Sequence, residues 1–158
     1  MGRKNNFQNN WIYIKGTKMI ASNEFEVNNC EIYSSEIGFL GVISISQVPF
    51  EVKRFFWLAS IAENESRANH AHRTCEQYLL CMSGSIDVRV TSLKIQTKEL
   101  VLCAGQGLLV PALNWLHLHN FTRGTVLGVF ASEPYSKAEY IDDFDEFRSF
   151  ANSGKNLK

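Results

Sequence analysis

The feature that most constrains the fold of this sequence is its succession of short apolar or alternating runs separated by turn residues. The runs occupy residues 11–14, 41–45, 52–58, 78–82, 86–90, 100–102, 108–110 and 126–131. Their separators are rich in Gly, Ser, Thr and Asn, and they suit hairpins better than the helical crossovers of a parallel sheet. The sequence therefore predicts an all-β barrel or sandwich.

The C-terminal part has a different period. Residues 137–150 carry apolar side chains at helical spacing: Tyr140, Ile141, Phe144, Phe147 and Phe150. This pattern predicts a short helix that closes one face of the barrel.

The chain length of 158 residues suits one domain. Residues 1–10 and 151–158 offer little to bury, so we expect a flexible leader, a single domain over residues 11–150 and a flexible tail.

Charge and cysteine usage limit the partners and the compartment. Lys+Arg and Asp+Glu both number 16, which leaves no excess charge to attract nucleic acid or an anionic membrane. No apolar run reaches the ~20 residues of a membrane span. The four cysteines lack CxxC spacing and follow no export signal, so we expect free thiols in the cytoplasm.

The sharpest local feature is the histidine pair His70 and His72, which Glu76 and Gln77 follow closely. Side chains two residues apart on a strand point to the same side, so both imidazoles can face one cavity. Imidazole titrates near neutral pH and also binds metals, so the pair indicates either acid–base chemistry or a metal site.

The arrangement resembles the cupin pattern, a double-stranded β-helix or jelly-roll barrel. It comprises His70, His72, Glu76, Gly84, Gly105, Pro111 and Asn120. In metal-binding cupins a third histidine follows, and its position here is Leu116. His117 and His119 should point to the opposite side of that strand. A facial triad of His70, His72 and Glu76 remains an alternative.

Within the cupins, the sequence resembles the sugar-nucleotide 3,4-ketoisomerases over roughly residues 32–147. The resemblance rests on residues 49–54, 67–77, 107–111, 131–132 and the closing segment 140–147. It implies a cytoplasmic homodimer without cofactor or bound metal. Such an enzyme moves the keto group of dTDP-4-keto-6-deoxyglucose from C4 to C3, in the synthesis of deoxyamino sugars for surface polysaccharides.

The resemblance also implies roles for particular residues. His70 and His72 would be the acid/base pair, with His72 as the principal base. Arg67 and Arg54 are candidate cations for the diphosphate or the developing enolate oxygen. Two further candidates bind the substrate: Gln77 through hydrogen bonds and Trp115 through stacking.

Some positions depart from the family pattern and keep other functions open. Ala68 replaces a glycine, Phe56 and Trp57 stand where the family carries a tyrosine, and Ile37 and Leu116 replace polar residues. The alternatives are a sugar-nucleotide-binding cupin with weak catalysis and a metal-dependent cupin oxygenase. A 3,5-epimerase ranks below both, because those cupins lack the order of histidines and Gln77 seen here.

Overall fold

The computed structural model describes residues 12–14 and 25–153. The strands, in chain order, are β1 (Ile12–Ile14), β2 (Val27–Asn29), β3 (Glu31–Ser35), β4 (Gly38–Val42), β5 (Arg54–Ala59), β6 (Arg67–His72), β7 (Gln77–Ser83), β8 (Ser85–Thr91), β9 (Thr97–Cys103), β10 (Gln106–Val110), β11 (Trp115–His119), β12 (Val126–Ala131) and β13 (Tyr140–Ile141). Helix α1 spans Phe144–Ser153, and turns of 3-10 helix form at Ile45–Gln47 and Lys137–Glu139.

Two five-stranded antiparallel sheets form the body of the fold. The first has the order β2-β10-β7-β12-β5, and the second has the order β13-β6-β11-β8-β9. Their inner faces share one core, in which Leu79 and Leu127 of the first sheet pack with Val88 and Leu118 of the second. Alternation along each strand fills this core with every second side chain. The predicted all-β jelly-roll architecture is confirmed.

Smaller apolar clusters cover the outer faces. Tyr78, Leu80 and Phe130 point outward from the first sheet and pack against Ile32 of β3 and Val48. On the second sheet, the outward-facing Ala71 and Trp115 lie under α1, in a cluster with Ile141 and Phe147. The helix therefore closes the outside of the sheet, and the space between the two sheets is left to the core and the site.

The predicted helix over residues 137–150 is wrong in its first half. Tyr140–Ile141 is a short strand that pairs with β6, and α1 begins only at Phe144. Asp143 marks the boundary, because its Oδ1 accepts a hydrogen bond from the backbone N–H of Glu146 at 2.7 Å. Such a cap satisfies one of the free N–H groups of the first helical turn.

The predicted flexible leader and tail lie mostly outside the residues that the structure describes. The leader over residues 1–10 lies outside the described residues, and so does most of the predicted tail. α1 continues to Ser153. Within the described part of the chain, no helix has the length and apolar character needed to cross a membrane.

Candidate active site

The histidine pair lies inside one end of the barrel. His70 and His72 are on β6, and their rings are 4.9 Å apart in a nearly perpendicular arrangement. His72 is only 6% exposed, and its backbone carbonyl accepts a hydrogen bond from Leu113 of the β10–β11 turn at 2.8 Å. The structure brings the two imidazoles together as strand alternation predicts.

A bulge in β6 precedes the pair. β11 pairs Leu116 with His70 but pairs His117 with Ala68, so Asn69 is an extra residue on β6. Ala68 and Asn69 both adopt left-handed backbone conformations, with φ of 68° and 60°. This conformation favours glycine, the residue that the family resemblance leads us to expect at position 68.

Gln77 fixes one nitrogen of His72. Its side-chain Nε2 lies 3.1 Å from His72 Nε2, and the Gln77 side chain is buried. The loop between the two residues is held by Glu139, whose Oε2 accepts hydrogen bonds from the backbone N–H groups of Thr74 at 2.9 Å and Cys75 at 3.2 Å. With Nε2 engaged, Nδ1 is the His72 nitrogen that remains available to a ligand. His72 Nδ1 is buried and has no hydrogen-bond partner among the described residues.

Arg54 lies at the same end of the first sheet. Ala131 of β12 pairs with both Gln77 and Arg54, so the two polar side chains share one inward-facing row across three strands. The guanidinium lies 4.9 Å from the ring centre of Phe56 and 5.5 Å from that of Tyr135. Its Nε is another buried atom without a hydrogen-bond partner in the described part of the chain. Buried polar atoms are seldom left unpaired, and those that are merit a functional explanation.

Tyr140 is a site residue that the sequence analysis missed. Its ring centre is 4.7 Å from that of His70 and 4.5 Å from that of His72, and its backbone pairs with His72. The sequence analysis placed Tyr140 on a helix, where it would have belonged to the closing face. Its position beside Ile141 in a family motif was the available signal.

Burial lowers the pKa of both histidines. Desolvation is the largest cause that lowers the pKa of His72 to about 4, and the positive charges of His70 and Arg54 act in the same direction. Desolvation also lowers the pKa of His70, against the effects of a hydrogen bond with the Ala68 backbone and the charge of Asp142. At neutral pH each ring therefore keeps an unprotonated nitrogen, as a general base requires.

Two predicted binding residues lie elsewhere. The Arg67 side chain is exposed, and its Nη1 donates to the Ser66 carbonyl at 2.7 Å and lies 3.4 Å from Glu65 Oε2. Trp115 packs on the outer face against α1, with its ring centre 5.0 Å from that of Phe144. These contacts give Trp115 the environment of a core residue, and they do not support a stacking role.

The described residues do not form a cluster of metal ligands around His70 and His72. Glu76 lies in the loop before β7, where its backbone N–H donates to Ser132 Oγ at 2.8 Å. No cluster of three or more His, Cys, Asp or Glu side chains suited to a metal occurs in the described residues. Leu116, at the position of the third cupin histidine, is buried in the main core.

Two facing antiparallel sheets with a histidine pair at one end of their shared interior define a cupin. The family model described as "FdtA: WxcM-like, C-terminal" matches residues 23–152. This chain belongs to that family.

Characterised relatives support the same assignment. A TDP-4-oxo-6-deoxy-alpha-D-glucose-3,4-oxoisomerase from Aneurinibacillus thermoaerophilus is 28% identical over 124 residues, which cover 78% of this chain and 89% of the relative. The TDP-quinovose 3,4-ketoisomerase WlaRB from Campylobacter jejuni is 32% identical, with a TM-score of 0.72 and coverage of 81% and 99% of the two chains.

The third comparison includes a ligand. The 3,4-ketoisomerase QdtA from Thermoanaerobacterium thermosaccharolyticum was crystallised as a histidine-to-asparagine variant in complex with TDP-4-keto-6-deoxyglucose. It is 26% identical, with a TM-score of 0.76 and coverage of 87% of this chain and 99% of QdtA.

Proposed function

We propose that this chain is an isomerase that moves the keto group of dTDP-4-keto-6-deoxyglucose from C4 to C3. The observation that carries the proposal is the pair of neutral, closely spaced imidazoles of His70 and His72, with Tyr140 and Arg54 beside them in a largely buried site. The named relatives act on TDP-linked sugars of this kind, which supports the choice of substrate.

The reaction is a balanced transfer of protons. A base removes the proton at C3, the C3–C4 double bond forms, and the oxygen at C4 takes up a proton to give an enediol. The hydroxyl at C3 then loses its proton, C4 gains one, and the carbonyl forms at C3. No electrons leave the substrate, so groups that exchange protons near neutral pH are sufficient.

Within this scheme, His72 is the principal base through Nδ1, which requires the neutral tautomer that carries its proton on Nε2. In that tautomer the Gln77 side chain presents its amide oxygen to Nε2–H, because rotation of the amide group exchanges its oxygen and nitrogen. His70, at 4.9 Å between ring centres, is placed to return a proton to the neighbouring carbon. Tyr140 and Arg54 supply the hydroxyl and the cation for the oxygen at C4, where negative charge develops.

Phe56, on the inner face of β5, stands where the family resemblance leads us to expect a tyrosine. Tyr140 supplies a hydroxyl to the site in its place. Arg67 remains a candidate for the diphosphate, since its exposed guanidinium presents paired donors at the start of β6. A protein that binds the sugar nucleotide without turning it over is the second candidate. The replacement of the tyrosine by Phe56 favours it.

We also propose a homodimer. An apolar groove of about 230 Å³ lies between the β3–β4 hairpin and the outer face of the first sheet, and Phe39 and Phe55 line it. Phe39 is 50% exposed, and Trp57, whose ring centre is 6.3 Å from that of Phe55, is 64% exposed. Exposed aromatic side chains beside an apolar groove are the kind of surface that a second copy of the chain can cover. Light scattering coupled to size-exclusion chromatography tests this: a dimer that Trp57→Glu dissociates supports the proposal, and a wild-type monomer contradicts it.

We place the activity in the cytoplasm. The four cysteines are free, and Cys30, Cys75 and Cys81 are buried. Thiols persist in reducing compartments, which supports this location.

The decisive experiment is a proton NMR time course in deuterated water with chelator-treated protein and dTDP-4-keto-6-deoxyglucose. We expect a 3-keto product with deuterium at C4, and we expect no product with His70→Asn or His72→Asn. His119→Asn is the matched control, because that histidine lies on the outer face of the same sheet. If wild-type protein binds the sugar while its C3 proton persists, the isomerase proposal is wrong and the binding protein is favoured.

A further inference from the structure

A polar contact on the outer face of the second sheet reaches the strand that carries the histidines. Asn69 is the extra residue of the β6 bulge, and its side chain points away from the barrel interior. Its Oδ1 accepts a hydrogen bond from Nδ1 of His117 on β11. The contact therefore joins the two strands at the point where their regular pairing is interrupted.

The bulge is the part of β6 that most needs support. Ala68 and Asn69 are consecutive residues with positive φ, a conformation that residues other than glycine adopt reluctantly. His70 follows directly, and a hydrogen bond with the Ala68 backbone acts on its imidazole. A change in the backbone at Ala68 or Asn69 is thus transmitted to the orientation of the His70 ring.

The other groups around His117 are engaged with one another. Its ring centre is 4.9 Å from that of His119, whose Nε2 lies 3.5 Å from Glu99 Oε2. Glu99 also forms an ion pair with Arg89. Asn69 consequently links this outer cluster to β6, and His119 offers a neighbouring imidazole without a hydrogen bond to Asn69 among the described residues.

We propose that His117 is a positioning residue for the isomerisation, which acts through Asn69 to hold the bulge that aims His70 into the site. The proposal rests on the proposed function. His117 lies on the face of the sheet opposite to the core-facing Leu116, so it does not touch the substrate. Its effect should therefore fall on the chemical step rather than on binding.

The test compares steady-state kinetics of five variants, measured per folded molecule well below each melting temperature. We expect His117→Ala and Asn69→Gly each to lower kcat by about tenfold, less than the roughly 100-fold loss that a 1 Å misplacement can produce. KM should change by less than about twofold. The double variant should be no worse than either single variant, because both remove the same contact.

His117→Asn and His119→Ala complete the test. The Asn side-chain amide lies near the position of Nδ1 and can donate to Asn69, so His117→Asn should recover most of kcat. His119→Ala removes a similar ring from the same face and should keep kcat within about twofold of wild type. A wild-type kcat in His117→Ala, or an equal loss in His119→Ala, overturns the proposal.

A second readout does not depend on turnover. Imidazole ¹⁵N–¹H correlation spectra report the tautomer and environment of His70 directly. The proposal expects the His70 resonances to shift in His117→Ala and to remain in place in His119→Ala. Unchanged His70 resonances in His117→Ala contradict it, even if the wild-type enzyme proves inactive on the sugar tested.

Discussion

Burial of His72 as a neutral ring should make the stability of the protein depend on pH. The folded pKa of about 4 lies below the ordinary value of 6.5, so the unfolded chain binds a proton more readily than the folded one. The stabilisation of the folded state by neutral His72 is therefore fully present above pH 6.5, and it is lost as the pH falls from 6.5 to about 4. At 1.36 kcal/mol per pH unit, the loss between pH 7 and pH 5 is about 2 kcal/mol.

The assay is urea denaturation of wild type and His72→Asn at pH 7 and pH 5. The wild-type free energy of unfolding should fall between pH 7 and pH 5, and in His72→Asn this fall should be smaller by about 2 kcal/mol. His70 should account for part of the fall that remains. Thr91→Val, a buried change on the second sheet that removes no titratable group, is the control and should retain the wild-type loss. If His72→Asn loses as much stability as wild type between the two pH values, the ring is not desolvated in the folded protein and the reasoning fails.

Three further predictions concern single contacts of the site. Tyr140→Phe should lower kcat by about 10²-fold with little change in KM, as expected for the loss of a donor to developing charge, and an unchanged kcat would remove Tyr140 from the mechanism. Arg54→Gln should raise the pKa of His72 by removing a nearby positive charge, which NMR titration of the ring measures; a fall would contradict this. Ala68→Gly should stabilise the protein by about 0.5 kcal/mol, because relief of the positive φ outweighs the entropy of glycine. Ala59→Gly, on an exposed strand position, should instead lower the urea midpoint, and stabilisation by both changes would refute the argument.

The sequence predicted the parts of the site that follow from strand periodicity. The two-residue spacing of His70 and His72 places both rings on one side of β6. Alternation within β7 likewise separates Gln77, which contacts His72, from Tyr78, which points outward. The same rule separates Arg54 from Lys53, which turns outward and forms an ion pair with Glu133 at 3.2 Å. Alternation is a local property, so a single sequence reveals it.

The remaining parts depend on contacts between distant segments. Tyr140 and Ile141 fit a helical spacing as well as a strand, and only pairing with β6 distinguishes the two. The bulge at Asn69 depends on how β6 pairs with β11, which local pattern does not determine. Trp115 was predictable in principle. The alternation that turns His117 and His119 away from Leu116 turns Trp115 outward as well, but its motif position suggested a ligand contact.

The effect of the missing third cupin histidine on metal binding can be tested by introducing a histidine at position 116. Leu116 is 4% exposed and is paired directly with His70, so a side chain at this position shares the inner face with the histidine pair. Leu116→His should therefore complete a three-histidine set of the kind that binds Zn²⁺. Even outer-shell partners of metal ligands change affinity by about 10- to 100-fold, so a third direct ligand should tighten Zn²⁺ binding at least about tenfold.

Isothermal titration of wild type, Leu116→His and Leu116→Asn with Zn²⁺ measures the effect. The asparagine variant is the control, because it places a polar group of similar burial cost in the core without adding an imidazole. Zn²⁺ should also restore part of the stability that Leu116→His loses, since a ligand that binds only the folded state stabilises it. Equal Zn²⁺ affinity in the two variants would mean that position 116 does not face His70 and His72. The replacement of the third ligand by Leu116 would then have no bearing on the choice between metal and acid–base chemistry.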